Sequence, residues 1–112
     1  MIALSDIGEF ASEAFLRPLE FLRKEIDLAG DQLTMRAIAA QISKTMDREI
    51  RYEPIPEDRA ETAVGRDLAL MYRWFNEHGY RVDIDGLRKR WGIPLTSFTG
   101  WIDGSALRRK AA

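Results

Sequence analysis

The stretch that decides the fold class is residues 26–34, which read Ile26-Asp27-Leu28-Ala29-Gly30-Asp31-Gln32-Leu33-Thr34. Apolar and polar residues alternate over Ile26–Ala29, which favours a short β-strand, and Gly30 with Asp31 supplies a turn. Thr34 then offers the side-chain oxygen of a helix N-cap, and an apolar stripe at helical spacing follows it. A strand, a turn and a helix in this order are typical of an α/β protein.

Two further segments have the composition of strands, at Ile2–Leu4 and Ile50–Glu53, and a helical pattern separates each from Ile26–Ala29. Strands joined through helices pair in parallel and normally lie inside a larger sheet that is covered on both faces. Three strands this short leave two edges with unpaired backbone groups. The sequence therefore predicts that the chain either completes a larger sheet or associates with itself through strand edges.

The remainder of the chain predicts about five helices, so the expected fold is α/β but mostly helical. The predicted helix starts are Ser5 or Asp6, Thr34, Asp67, Asp83 or Asp85, and Thr96 or Ser97. The predicted helix ends or kinks are Pro18, Gly79 after His78, and Gly92. Residues 108–112 have the composition of a frayed basic tail after a lobe that spans residues 1–107.

The composition argues against several classes of protein. The chain has 112 residues, a formal net charge of -1, 46% apolar residues and no Cys. No disulfide framework, zinc ribbon or cysteine nucleophile can therefore form, and the balanced charge argues against a polybasic nucleic-acid or membrane binder. No apolar run approaches the roughly 20 residues needed to span a bilayer, and the N-terminal residues lack the basic region of a signal peptide. These features predict a cytoplasmic protein.

The helix predicted over Asp67–His78 has an unusually wide apolar arc, which covers roughly 200° at 100° per residue. Two interpretations remain open. Either the helix is buried between two layers, or one side packs on the core while the other, around Leu70 and Trp74, lines a pocket or a partner surface.

The sequence lacks the common cofactor-binding and catalytic motifs. No two glycines are two or three residues apart, so no Gly-x-Gly-x-x-Gly turn exists, and no P-loop or Tyr-x-x-x-Lys pair occurs. The single histidine, His78, is expected to cap a helix C-terminus. Asp83 and Asp85 fail the calcium-loop pattern at both ends and are expected to cap a helix. The Thr34 helix resembles the first helix of a helix-turn-helix, but no recognition helix follows it. DNA binding is therefore the least favoured of the functions considered.

The order of segments resembles the C-terminal third of the NmrA-like family, which are atypical short-chain dehydrogenase/reductase relatives. The stretches that carry the resemblance are Ser5-Asp6-Ile7-Gly8, Glu25 to Thr34, Arg51-Tyr52-Glu53-Pro54-Ile55-Pro56, Asp67 to Tyr80, and Leu95-Thr96-Ser97-Phe98 with Trp101. The resemblance covers Ser5 to Ile102. It implies the smaller C-terminal lobe of an NAD(P)-binding, Rossmann-like fold, in which the glycine-rich loop and the first strands belong upstream.

The resemblance implies a truncated or split NAD(P)H-dependent reductase of quinones, azo dyes or similar small electrophiles, or a redox sensor. It implies no cofactor site and no independent activity in this chain, and no family catalytic residue maps onto it. As substrate-binding residues of the lobe we predict Met71, Trp74 and Phe75, with a hydroxyl from Tyr72 or Tyr80. The expected partner is a missing or separate Rossmann half. The alternative is a stand-alone dimeric or partner-binding regulatory module.

Overall fold

The computed structural model describes residues 1–105, and this part of the chain contains seven α-helices and no β-strand. The helices are α1 (Leu4–Leu16), α2 (Pro18–Phe21), α3 (Met35–Met46), α4 (Glu57–Val64), α5 (Arg66–His78), α6 (Ile84–Trp91) and α7 (Phe98–Gly104). The prediction of a mostly helical chain is confirmed. The predicted basic tail, residues 108–112, lies outside the described residues.

The three predicted strands are wrong within the described part of the chain. Leu4 is the first residue of α1, while Ile26–Ala29 and Ile50–Glu53 belong to neither a helix nor a sheet. A strand needs a neighbouring strand to complete its backbone ladder, and these segments have none. Ile26 and Leu28 instead pack their side chains against a helical core.

Local capping chemistry explains where most helices begin and end. The side chains of Thr34, Asp83 and Ser97 each accept a hydrogen bond from the backbone N–H three residues later, as predicted. Gly79 and Gly92 follow the last residues of α5 and α6 with positive φ angles of 70° and 66°.

One predicted cap is wrong, and two short helices were not predicted. α1 has no side-chain cap, because its N-cap residue is Ala3 and the carboxylate of Asp6 is turned into the protein instead. Pro18 ends α1, as predicted, but it also opens α2, since proline fits the first turn of a helix. α4 has a weak apolar pattern and follows two prolines, which obscured it in the sequence.

The described chain divides into two compact units. The first contains residues 1–51 together with the chain from Val82, and its core is formed by Phe10 on α1, Leu87 and Trp91 on α6, and Ile93. Phe21 lies against Trp91 with a ring-centroid distance of 4.2 Å, which joins α2 to this core. α3 packs on α7 within the same unit.

The second unit, residues 52–81, is a pair of helices, α4 and α5, joined at Gly65. Gly65 has a φ angle of 86°, a left-handed conformation that favours glycine and allows the chain to reverse between the two helices. Ala69 is the buried residue of α5, and the Nε atom of Arg73 lies 2.7 Å from Oε1 of Glu57 on α4. The Arg73–Glu57 ion pair thus marks the side of α5 that contacts α4.

Candidate functional site

The large apolar side chains of α5 lie on the side of the helix opposite its contact with α4. At 100° per residue, Met71, Trp74 and Phe75 cluster within about 100° of arc, centred about 170° from Ala69 and about 150° from Arg73. Met71 is 38% exposed, Trp74 48% and Phe75 38%. The wide apolar arc therefore leaves an exposed surface, which does not fit the interpretation that α5 is buried on most of its circumference.

Trp74 is the centre of a small aromatic group on this surface. Its ring lies 5.5 Å from Phe75 in an edge-on arrangement and 5.3 Å from His78, with only 13° between the Trp74 and His78 planes. Nδ1 of His78 also lies 3.3 Å from the backbone oxygen of Trp74, in the last turn of α5. This position agrees with the predicted capping role of His78. Stacked and edge-on rings give a flat, apolar surface with polarisable faces.

The two tyrosines predicted as hydroxyl donors lie near this group in sequence. Tyr72 is on α5 and 47% exposed, and Tyr80 follows the helix stop at Gly79 and is 55% exposed. All five predicted substrate-binding residues therefore belong to the second unit and are accessible. We call Met71, Trp74, Phe75 and His78, which share one side of α5, the α5 aromatic face.

Sequence reasoning missed a buried polar cluster in the first unit. Asp6 is only 3% exposed, and its carboxylate accepts hydrogen bonds from the backbone N–H of Thr96 at 2.7 Å and from its hydroxyl at 2.6 Å. Asp31 accepts a bond from the backbone N–H of Phe98 at 2.7 Å. These bonds tie the first turn of α1 and the Gly30 turn to the start of α7, so the cluster has a structural role.

Gly30 explains how these segments approach so closely. A Cβ atom at this position would lie 2.7 Å from the backbone oxygen of Thr96 and 3.2 Å from Oδ2 of Asp6. The backbone N–H of Gly30 donates to the oxygen of Met1 at 2.9 Å. The Gly30-Asp31 pair, predicted as a simple turn, is therefore the point where three distant segments meet. No periodic signal in the sequence marks such a meeting point.

A shallow groove of about 360 Å³ runs between α1 and the segment after α6, lined by Glu9, Glu13, Arg17 and residues 91–94. Arg17 lies within it, with its Nε 2.6 Å from Oε2 of Glu13 and its Nη2 donating to the oxygen of Trp91 at 3.1 Å. The acidic and basic groups of the groove thus partly neutralise each other. None of the predicted substrate-binding residues lines it.

The described residues do not fit a dinucleotide. A pyrophosphate is normally held by a glycine-rich turn between a strand and the N-terminus of a helix. Residues 1–105 contain no strand, and the first turn of α1 carries the carboxylate of Asp6, which repels an anion. Nor do three or more Asp, Glu or His side chains of this part of the chain come together as a metal site.

The described residues thus form a helical lobe with exposed apolar faces and no phosphate-binding turn of its own. The chain belongs to the NmrA-like family, because the model of that family matches residues 1–102 of the 112. This confirms the resemblance seen in the order of segments and connects the chain to a family that is in general NAD(P)-binding. No curated protein matches the chain significantly. Within residues 1–105, no helix has the length and apolar character to cross a membrane.

Proposed function

We propose that this chain is the substrate-binding lobe of a truncated or split NmrA-like protein, an NAD(P)-dependent reductase or redox sensor that acts in the cytoplasm. In this proposal the dinucleotide binds to a missing or separate Rossmann half, and the chain alone has no reductase activity. The observation that carries the proposal is the α5 aromatic face, which is directed away from α4 and exposed.

The chemistry of this face favours a flat, apolar electrophile such as a quinone or an azo dye. The ring of Trp74 offers a stacking surface, and Met71 and Phe75 extend it with flexible and aromatic apolar contacts. A carbonyl or azo group of the ligand is an acceptor for a hydroxyl donor, which Tyr72 or Tyr80 supplies. The residues of this chain would therefore bind and orient the substrate.

A direct test follows a methyl group of the face. We would record ¹³C-methyl NMR spectra of the full chain while titrating a water-soluble naphthoquinone. Of the four methionines, only Met71 is expected to shift, and Met1, Met35 and Met46 of the first unit serve as internal controls. Equal shifts of all four methyl groups would show unspecific association and contradict the proposal.

The reductase role is tested by mixing the chain with a separately encoded NmrA-like N-terminal half and following NADPH consumption. Trp74→Ala is expected to lower kcat/KM by about 10- to 100-fold, the usual range for losing one well-placed aromatic contact. The matched control is Trp101→Ala, because Trp101 is equally exposed, at 47%, but lies on α7 in the first unit. An unchanged kcat/KM for Trp74→Ala, with unchanged stability, would refute the assignment.

The second candidate is a stand-alone regulatory module without enzymatic activity. The exposed apolar residues of α1 and α2 favour it, because Phe15 and Leu19 are 86% and 91% exposed in the first unit. Contiguous exposed apolar surface of this kind marks interaction sites in soluble proteins. This candidate predicts a defined oligomer and no NADPH consumption with any added half.

A further inference from the structure

α1 has two apolar sides, and only one of them is used by the chain itself. The inner side contributes Phe10, which is 5% exposed, to the core of the first unit. The outer side carries a stripe of exposed residues at helical spacing, namely Leu4, Ile7, Gly8, Ala11 and Phe15. Leu4 and Phe15, at the two ends of this outer stripe, are 85% and 86% exposed.

Gly8 lies in the middle of the outer stripe, and nothing within the chain requires a glycine there. Its φ angle is helical, and a Cβ atom at this position would meet no atom within 4 Å. A glycine inside a helix costs about 0.5–1 kcal/mol relative to alanine. A small residue at a helix–helix contact allows the two backbones to approach closely.

We propose that the outer stripe of α1 is the contact surface between two copies of this chain, with their α1 helices antiparallel about a two-fold axis. The stripe is self-complementary in this arrangement. With the axis between Gly8 and Ala11, each Gly8 faces the Ala11 position of the other copy, and each Leu4 faces a Phe15 position. Small residues thus meet at the centre, where the helices cross, and large apolar residues meet at both ends.

The charges of α1 are compatible with this pairing. Asp6, Glu9 and Glu13 lie at least about 130° from the centre of the stripe at 100° per residue, so no carboxylates of the two copies are opposed. Antiparallel helices also bring opposite ends of their dipoles together. The inference is independent of the substrate role proposed for α5, because it uses only residues of the first unit.

The apolar area of the outer stripe is that of a weak dimer. Burial of one large apolar side chain removes about 60–120 Å² from water. The three large residues of the stripe, Leu4, Ile7 and Phe15, are exposed and together offer about 180–360 Å² per copy. This area is below the roughly 800 Å² per partner of a standard interface, so we expect a dimer that dissociates on dilution.

The first test is the mass of the full chain in solution, measured by sedimentation velocity over a wide range of concentration. We expect a dimer, and we expect Gly8→Leu to raise its Kd by about 10- to 100-fold, because the new side chain fills the point of closest approach. Leu is a better helix former than Gly and meets open space in the monomer, so the variant should melt no lower than the original chain. The control is Ala40→Leu, which adds a large side chain at an exposed position of α3.

The second test fixes the orientation of the helices, and the chain suits it because it contains no Cys. A Leu4→Cys chain mixed with a Phe15→Cys chain should form a mixed disulfide, whereas Leu4→Cys alone should not cross-link. In the antiparallel register the two Leu4 positions are about 16 Å apart along the axis, too far for a disulfide. Cross-linking of Leu4→Cys with itself would indicate parallel helices and refute the register.

Three further results would overturn the proposal. They are a monomeric chain at all concentrations, a dimer whose Kd Gly8→Leu leaves unchanged, and association only with a separately encoded Rossmann half. The last result would assign the outer stripe to that half. If naphthoquinone did not shift the Met71 methyl signal while the chain still formed the α1 dimer, only the substrate proposal would be contradicted.

Discussion

Replacement of Asp6 by alanine is the sharpest test of how the first unit is held together. The carboxylate of Asp6 is nearly inaccessible, and it accepts bonds of 2.7 and 2.6 Å from the backbone N–H and the hydroxyl of Thr96, a residue 90 positions away. Hydrogen bonds to a charged group contribute about 1.5–3 kcal/mol each. Loss of both would therefore cost about 3–6 kcal/mol if nothing compensated it.

Two effects reduce this figure for Asp6→Ala. Thr96 is only partly buried, so water can reach the freed donors, and removal of the carboxylate relieves its own desolvation cost. We expect a net loss of about 2–4 kcal/mol in the free energy of unfolding. For a domain of this length that corresponds to a fall of about 10–20 °C in Tm.

Asp6→Asn distinguishes the role of the charge from that of the shape. The amide oxygen can still accept from the backbone N–H of Thr96, and the amide nitrogen can donate to the Thr96 hydroxyl, which then accepts. Both bonds persist but neither involves an ion, so we expect a smaller loss of about 1–2 kcal/mol.

The assay is urea unfolding followed by far-UV circular dichroism, with the slope of the transition compared between variants. The matched control is Asp27→Ala, because Asp27 is exposed and its removal should change stability by no more than about 0.5 kcal/mol. If Asp6→Ala and Asp27→Ala unfolded at the same urea concentration, the buried cluster would not stabilise the fold and the reasoning would be refuted.

Two other substitutions test packing in the first unit by the same urea assay. Gly30→Ala should destabilise it by about 1–3 kcal/mol, since the new Cβ would lie 2.7 Å from the backbone oxygen of Thr96. The control is Gly104→Ala, which should have little effect because a Cβ atom there would meet no atom within 4 Å. Equal losses of stability in the two variants would contradict the close approach at Gly30. Trp91→Ala should cost about 3–5 kcal/mol because Trp91 is 6% exposed in the core. The exposed Trp101→Ala should cost far less, and a similar loss from both would show that the core is assigned wrongly.

The sequence by itself predicted the helices whose ends are set by local chemistry. The cap bonds of Thr34 and Ser97 join atoms three residues apart, and Gly92 stops α6 through its own backbone conformation. Such interactions are complete within one turn of chain, so the pattern of side chains is sufficient to locate them. The order of these segments was also sufficient to recognise the NmrA-like family.

The alternating pattern of Ile26–Ala29 shows where local reasoning ends. The alternation correctly indicated which side chains are buried, since Ile26 and Leu28 pack on the core while Asp27 is exposed, but the predicted strand did not form. Whether an extended segment becomes a strand depends on a neighbouring strand, which the segment's own sequence does not encode. The same limit concealed α4, whose apolar pattern is weak and whose position depends on packing against α5.

The tertiary structure alone decided the roles of Asp6 and of the α5 aromatic face. Asp6 has the residue type and position of a helix cap, but Thr96 comes from the other end of the chain and draws its carboxylate inward. The apolar arc of α5 was visible in the sequence, whereas the side that contacts α4 was fixed by Ala69 and Arg73. Local sequence determines which groups a helix presents, and long-range packing determines which of them are buried and which are left for a ligand or a partner.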